Sequence, residues 1–331
     1  MQVNTNPAIN TLADGAYVAI EKHFKKVLKW ESSVKKDEDP EALHQMRVGM
    51  RRLRTAVTGF ALALDLPKSV SDKNIGKIAR ALGKLRDLDV LKDALKTRYQ
   101  SHLPSKEQKS LNNALDILDK QRKDVCVDVQ DTLKHERYKS LKQGVKEWLE
   151  EPKYHDIAHL KIQQLLPDLL LPEVSRFLLH PGWLVATEIQ EVQVVTSGEL
   201  TPAQVEENLA NQGKILHELR KEAKRLRYQM ELFPDFYGES YATYLSDVKT
   251  IQELLGEIQD SVVLQQWLTD VLKSEIATQL PTLAAELANN RYQAWQQWQP
   301  LQQRYLNPEV RQRLHLTILY PQESNTVASD S

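Results

Sequence analysis

Apolar residues recur through this chain at three- and four-residue steps, the spacing of a helix with one buried edge. That spacing predicts helices over residues 10–34, 40–64, 72–100, 105–133 and 136–149, and again over 203–233, 241–274 and 280–305. Pro40 suits the first turn of the second helix, because a helix leaves its first N–H groups without partners anyway. Between the two sets, Pro167, Pro172, Pro181 and Gly182 divide residues 153–190 into short helices, and 192–202 reads as a loop. Residues 1–9 read as a flexible start and 306–331 as a C-terminal tail, disordered from about 321. No strand alternation stands out, so the predicted fold class is all-α.

One stretch of the pattern occurs twice. His44-Gln-Met-Arg47-Val-Gly-Met-Arg51-Arg52-Leu-Arg54 is matched 173 positions later by His217-Glu-Leu-Arg220-Lys221-Glu-Ala-Lys224-Arg225-Leu-Arg227-Tyr228. At about 100° per residue, the His and the cations at +3, +7 and +10 share a stripe roughly 80° wide. Leu43, Met46, Met50, Leu53, Val57 and Phe60 form an apolar edge beside the first stripe; Leu216, Leu219, Ala223, Leu226, Met230 and Phe233 do so beside the second. The match continues: Leu82-Gly83-Lys84-Leu85-Arg86-Asp87 and Leu255-Gly256-Glu257-Ile258-Gln259-Asp260 each begin 38 residues after their histidine. An ungapped offset over this length reads as an internal duplication. It predicts two homologous helical halves, residues 10–152 and 203–305, folding into one pseudo-symmetric body around an irregular connection at 153–202.

Composition narrows the chemistry. With 41% apolar and 27% charged residues in 331, the chain has a soluble, globular profile. Nothing approaches the 18 consecutive apolar residues of a membrane span. The N-terminus lacks the basic and apolar regions of a secretory signal, and a lone Cys126 fits a reducing cytoplasm and a small core hydrophobe. The 44 Lys and Arg are balanced by 45 Asp and Glu, for a net charge of −1. A general nucleic-acid coat would be basic overall, so the positive charge here is placed locally.

The two stripes ask for a ligand with many negative charges. Between His44 and Phe60 there are four arginines and no acid, so no i,i+4 partner neutralises them along the helix. Arginine's planar fork fits phosphate oxygens, and lysine adds point charge. His44, Arg47, Arg51 and Arg54, with Arg52 flanking, form the first candidate set. His217, Arg220, Lys221, Lys224 and Arg227, with Arg225 flanking, form the second. Lys77, Arg80 and Lys84 are a secondary stripe, but Thr250, Glu253 and Glu257 replace them in the second half, which predicts a lopsided cationic surface. Tyr228, also secondary, is expected to pack at a rim rather than stack on a base. Asp87 and Asp260 are expected to pair with an arginine of the motif helix, and Gly83 and Gly256 to allow close helix approach. Neither stripe offers metal-ligand spacing, a Walker-type loop or a carboxylate cluster for Mg²⁺, so no metal, cofactor or catalytic residue is predicted.

These residues resemble the CHAD family, named for a conserved histidine and an α-helical fold. His44 to Arg54, Leu82 to Asp87, His217 to Tyr228 and Leu255 to Asp260 fit its hallmark in order, and the similarity covers about residues 10–305. The resemblance implies two pseudo-symmetric helical bundles packed around a basic groove or pore, and binding of inorganic polyphosphate. Some members are fused to a triphosphate tunnel domain with a Glu-x-Glu-x-Lys signature, which is not found in this sequence. The expected function is non-catalytic binding of inorganic polyphosphate in the cytoplasm, with targeting to polyphosphate granules, no membrane partner and no assigned protein partner. Phosphate-backbone binding of nucleic acid or nucleotide is the alternative. It is disfavoured because few aromatic residues lie among the cations. Gly49, inside the first motif helix, and Lys221, where the first half has Val48, depart from the common pattern.

Overall fold

The computed structural model describes residues 9–191, 193–196 and 198–322. The expected flexible start falls almost wholly outside these residues, as does the tail beyond 322. The chain forms two compact units, one of residues 1–94 and 115–165, the other of 95–114 and 166–331. Nearly all the described structure is helical, as the periodicity predicts.

In the first unit α1 (Leu12–Lys36), α2 (Pro40–Gly59), α3 (Asp72–Ala94) and α5 (Glu136–Glu150) pack with most of α4 (Ser105–Lys134). Thr11 and Asp14 form a capping box at the start of α1, each side chain taking a backbone N–H of the other residue. Asp39 caps α2, with Pro40 in its first turn. Every residue of the expected apolar edge of α2 is buried, from Leu43 to Phe60. A Cβ on Gly49 would lie 3.0 Å from Val27 Cγ2 and 3.2 Å from the Val27 backbone nitrogen. Glycine there lets α1 and α2 approach at backbone distance, which accounts for the glycine inside the first motif helix.

Arg122 on α4 ties this unit together. Its guanidinium donates to both oxygens of Asp37 at 2.7 Å and to Asp89 at 2.6 Å, joining the end of α1, α3 and α4. Asp89 is buried, whereas Asp87 is exposed, as expected for residues two apart on a helix. Cys126 is buried beside this cluster. Burial and the Asp37 carboxylate push its thiol pKa up, away from thiolate chemistry.

The second unit contains α6 (Ile162–Leu178, mostly), α7 (Pro202–Met230), α8 (Glu239–Leu272), the single turn α9 (Ile276–Gln279), α10 (Pro281–Leu306) and α11 (Pro308–Leu319). Thr201 and Gln204 form a capping box at the start of α7. The apolar edge from Leu216 to Phe233 is buried. Trp183, Trp298, Tyr305 and Phe177 form an aromatic core, with Trp183 stacked on Tyr305 at 5.5 Å.

Three expectations need correction. Pro167 and Pro172 do not break the chain, since α6 runs through both. Leu166, Leu170, Val174 and Phe177 are wholly buried along one face, and that burial outweighs the lost backbone bonds. Where the short-helix segment ends and the 192–202 loop is expected to begin, the chain forms an antiparallel pair, β1 (Thr187–Gln190) with β2 (Gln193–Thr196). Both strands are short, and Glu188, Ile189, Gln190, Val194 and Val195 are exposed, so no buried alternation marks them; the turn has Glu191 at φ 47° in place of Asn or Gly. The expected C-terminal tail begins with α11, capped by Asn307 and anchored by buried Leu314 and Ile318.

Candidate anion-binding site

In the first unit the motif arginines reach from α2 to α3. Arg47 lies over Gly83, where a Cβ would sit 3.5 Å from its Nε, and pairs with Asp87 at 3.2 Å. Two turns later Arg54 lies over Gly76 and is held by both oxygens of Asp72, at 2.5 and 3.0 Å. The second unit repeats the first of these arrangements. Arg220 lies 3.2 Å from where a Gly256 Cβ would be and pairs with Asp260 at 3.3 Å. Asp87 and Asp260 therefore orient motif arginines, as expected. The glycines' role is more specific than helix approach: they leave the space that a guanidinium fills.

The match ends at the last arginine. Position 249, the counterpart of Gly76, is a lysine. Arg227 turns instead to Glu231, at the C-terminal cap of its own helix, at 2.8 Å and to Gln252 at 3.3 Å. Its guanidinium lies 5.7 Å from the ring of Tyr228, which is buried and so unavailable for stacking on a base.

His44 is half-buried among guanidinium groups. Burial lowers its pKa first, then Arg86, with Arg51 and Arg47 adding to the effect and Glu41 opposing it. Arg86 was not among the sequence candidates, yet it occupies the third variable position of the Leu-Gly element; Gln259 replaces it in the second half. His217 is likewise depressed, by burial, Lys221 and Arg220, against Glu218 and Asp260. Its Nδ1 is buried with no hydrogen-bond partner. Cations outnumber acids around His44, whereas around His217 two cations face two acids.

The flanking candidates divide. Arg52 faces α1, where it and two lysines, Lys22 and Lys26, hold the buried His23 at about 4, burial being the largest cause. Arg225 is turned to Glu173 on α6, pairing at 2.6 Å, and Lys221 is paired with Glu218 at 2.7 Å. Arg51 and Lys224 are half-buried on the motif face. Lys77, Arg80 and Lys84 line a cleft against α4 and the start of α5, with Asp128, Asp131 and His135 also in its walls. Among the described residues no cluster of three or more His, Cys, Asp or Glu is placed to hold a metal ion. No described helix is long and apolar enough to cross a membrane.

Two helical units carrying arginines held out by glycine and aspartate define an all-α protein with cationic helix faces. Residues 18–269 match the sequence model of the CHAD domain, and the chain belongs to that family. It is 22% identical to the CHAD domain from the plant Ricinus communis, with a TM-score of 0.59 over 97% of each chain. It is 16% identical to PptA from Streptomyces chartreusis, with a TM-score of 0.61 over 89% of this chain and 99% of that one. These likenesses concern the fold. A Mycobacterium tuberculosis (strain CDC 1551 / Oshkosh) protein, the uncharacterized MT2285, is 25% identical over 263 residues, 77% of this chain. The chain spans 45% of that relative's length.

Proposed function

We propose that this protein binds inorganic polyphosphate without turning it over. His44, Arg47, Arg51, Arg52 and Arg54 form one binding face, and His217, Arg220, Lys221, Lys224 and Arg227 form another. The observation that carries this reading is the repeated seat of a motif arginine, Arg47 over Gly83 against Asp87 and Arg220 over Gly256 against Asp260, beside a histidine whose pKa burial and neighbouring cations lower. Guanidinium groups fixed by glycine and aspartate present their remaining N–H donors in set directions, which suits a chain of phosphate oxygens. Arg225, Lys221 and Arg227 contribute less, because Glu173, Glu218 and Glu231 already engage them. Retention of the protein in the cytoplasm at polyphosphate bodies follows from this reading.

The burial of Tyr228 favours polyphosphate over nucleic acid, since it withdraws the aromatic ring that lies beside Arg227. Competition tests the choice. At about 150 mM salt, excess single-stranded RNA should displace little bound long-chain polyphosphate. Displacement at equal phosphate concentration would make the protein a general phosphate-backbone binder.

The histidines add a pH dependence of definite sign. Both pKa values are lowered in the free protein, so both rings are largely neutral at pH 7. A bound polyanion favours the charged form, so binding raises these pKa values and takes up protons. The extra affinity is fully present below the free-protein pKa and is lost as pH rises through the bound-state value. Titration from about pH 7 to 5 should show tightening of up to about tenfold per unit for each histidine. A His44→Gln, His217→Gln variant should have a nearly flat profile. An equally steep profile in that variant would remove the histidines from the site.

A further inference from the structure

The cationic surface of the first unit is wider than the motif stripe. Arg47 on Gly83 and Arg54 on Gly76 make α2 and α3 antiparallel, and Gly49 against Val27 and His23 seats α1 on the opposite side of α2. Antiparallel helices in contact share their sense of rotation toward an open face. At about 100° per residue, His44 and Arg51 therefore turn to the same side as Arg80, Lys84 and Lys77 of α3. Arg52, on the α1 side of α2, turns to that side as well. Lys26 of α1 meets it there: burial and the neighbouring Arg52 lower its pKa, with Glu41 opposing. Three adjacent helices thus present cations on one face.

The field has limits. Asp72 and Asp87 lie within it and are occupied by Arg54 and Arg47. Beyond α3, Asp128 and Asp131 stand among the residues of the cleft that Lys77, Arg80 and Lys84 line, and positive charge gives way there. Two interhelix spacings of about 8–10 Å each make the field about 20 Å across, besides its length along the helices. The second unit lacks the α3 part, having Thr250, Glu253 and Glu257 at the corresponding positions.

We propose that a polyphosphate chain crosses the helix axes of the first unit, from Lys26 on α1 over Arg52 and Arg51 on α2 to Arg80 and Lys84 on α3. This rests on the polyphosphate reading and adds direction and a length requirement to it. A chain running only along α2 would meet the signature residues alone. A crossing chain also needs cations that lie outside the signature, and only a ligand long enough to span three helices reaches both edges.

The test is titration of a Lys26→Glu, Arg80→Glu variant with long-chain polyphosphate and with tripolyphosphate. A Lys139→Glu, Lys146→Glu variant makes the same change of charge on exposed positions of α5. The first variant should bind the long chain more than tenfold more weakly and tripolyphosphate less than threefold more weakly. The α5 variant should change either by less than twofold. Equal losses in the two variants would show only a diffuse charge effect and overturn the crossing path. Equal losses for both ligands in the first variant would also overturn it, since no length requirement would remain. Failure of the parent protein to bind long polyphosphate would sink the function as well, a result distinct from a parent that binds and variants that do not differ.

Discussion

Replacing Arg51 and Lys224 together with alanine should weaken long-chain polyphosphate binding by at least about a hundredfold at about 150 mM salt. Each removes a cation from the middle of a motif face, and a charge-assisted hydrogen bond is worth about 1.5–3 kcal/mol. Two such losses come to about 3 kcal/mol or more. The slope of log affinity against log salt should become shallower by about 1.4, as two fewer phosphates are neutralised on a flexible chain. Helical content should hold, because alanine is the best helix former and both positions lie beside the apolar edge rather than in it. Circular dichroism and titration check the two halves of this expectation. Binding within threefold of the parent would remove these two residues from the site.

Arg122→Ala should cost about 3–5 kcal/mol of stability, as much as truncating a core side chain of the first unit. The guanidinium serves Asp37 and the buried Asp89 together, and the second oxygen of Asp89 is already buried without a hydrogen-bond partner. Without Arg122, a buried carboxylate is left with neither a partner nor water. Pairing with Arg122 also holds the Asp37 carboxyl below the usual carboxylate range. That contribution is present above the unfolded-state pKa and is lost as pH falls through the folded one, so it should diminish below about pH 4. Urea unfolding of the parent and of Arg122→Ala at neutral pH measures the cost. A difference below about 1 kcal/mol would mean that the ends of α1 and α3 are held by other contacts.

Much of this molecule is legible in its sequence because the main signals are local. The buried edges of α2 and α7 follow from i, i+3 and i+4 spacing alone. The Arg47–Asp87 and Arg220–Asp260 pairs follow from a repeated offset that leaves the two residue types in step. The illegible parts depend on contacts between distant positions. Arg122 finds Asp37 across 85 residues, and no pattern in either helix announces the pair. The approach of Lys26 to Arg52 depends on the packing of α1 on α2, which Gly49 permits. The pairing of Arg225 with Glu173 depends on α6, whose two prolines hide it as a helix. The Asn-Pro start of α11 was a readable capping signal, obscured by the polar sequence that follows it.

The measurement that bears most directly on the central claim is calorimetric titration of the whole protein at about 150 mM salt, since phosphate-backbone affinities mean little without a stated salt concentration. Long-chain polyphosphate, tripolyphosphate and a single-stranded oligonucleotide are compared, with free orthophosphate assayed after each titration. The account predicts tight binding of the long chain, much weaker binding of the other two, and no orthophosphate released. Oligonucleotide binding as tight as that of the long chain, or release of orthophosphate, would contradict it.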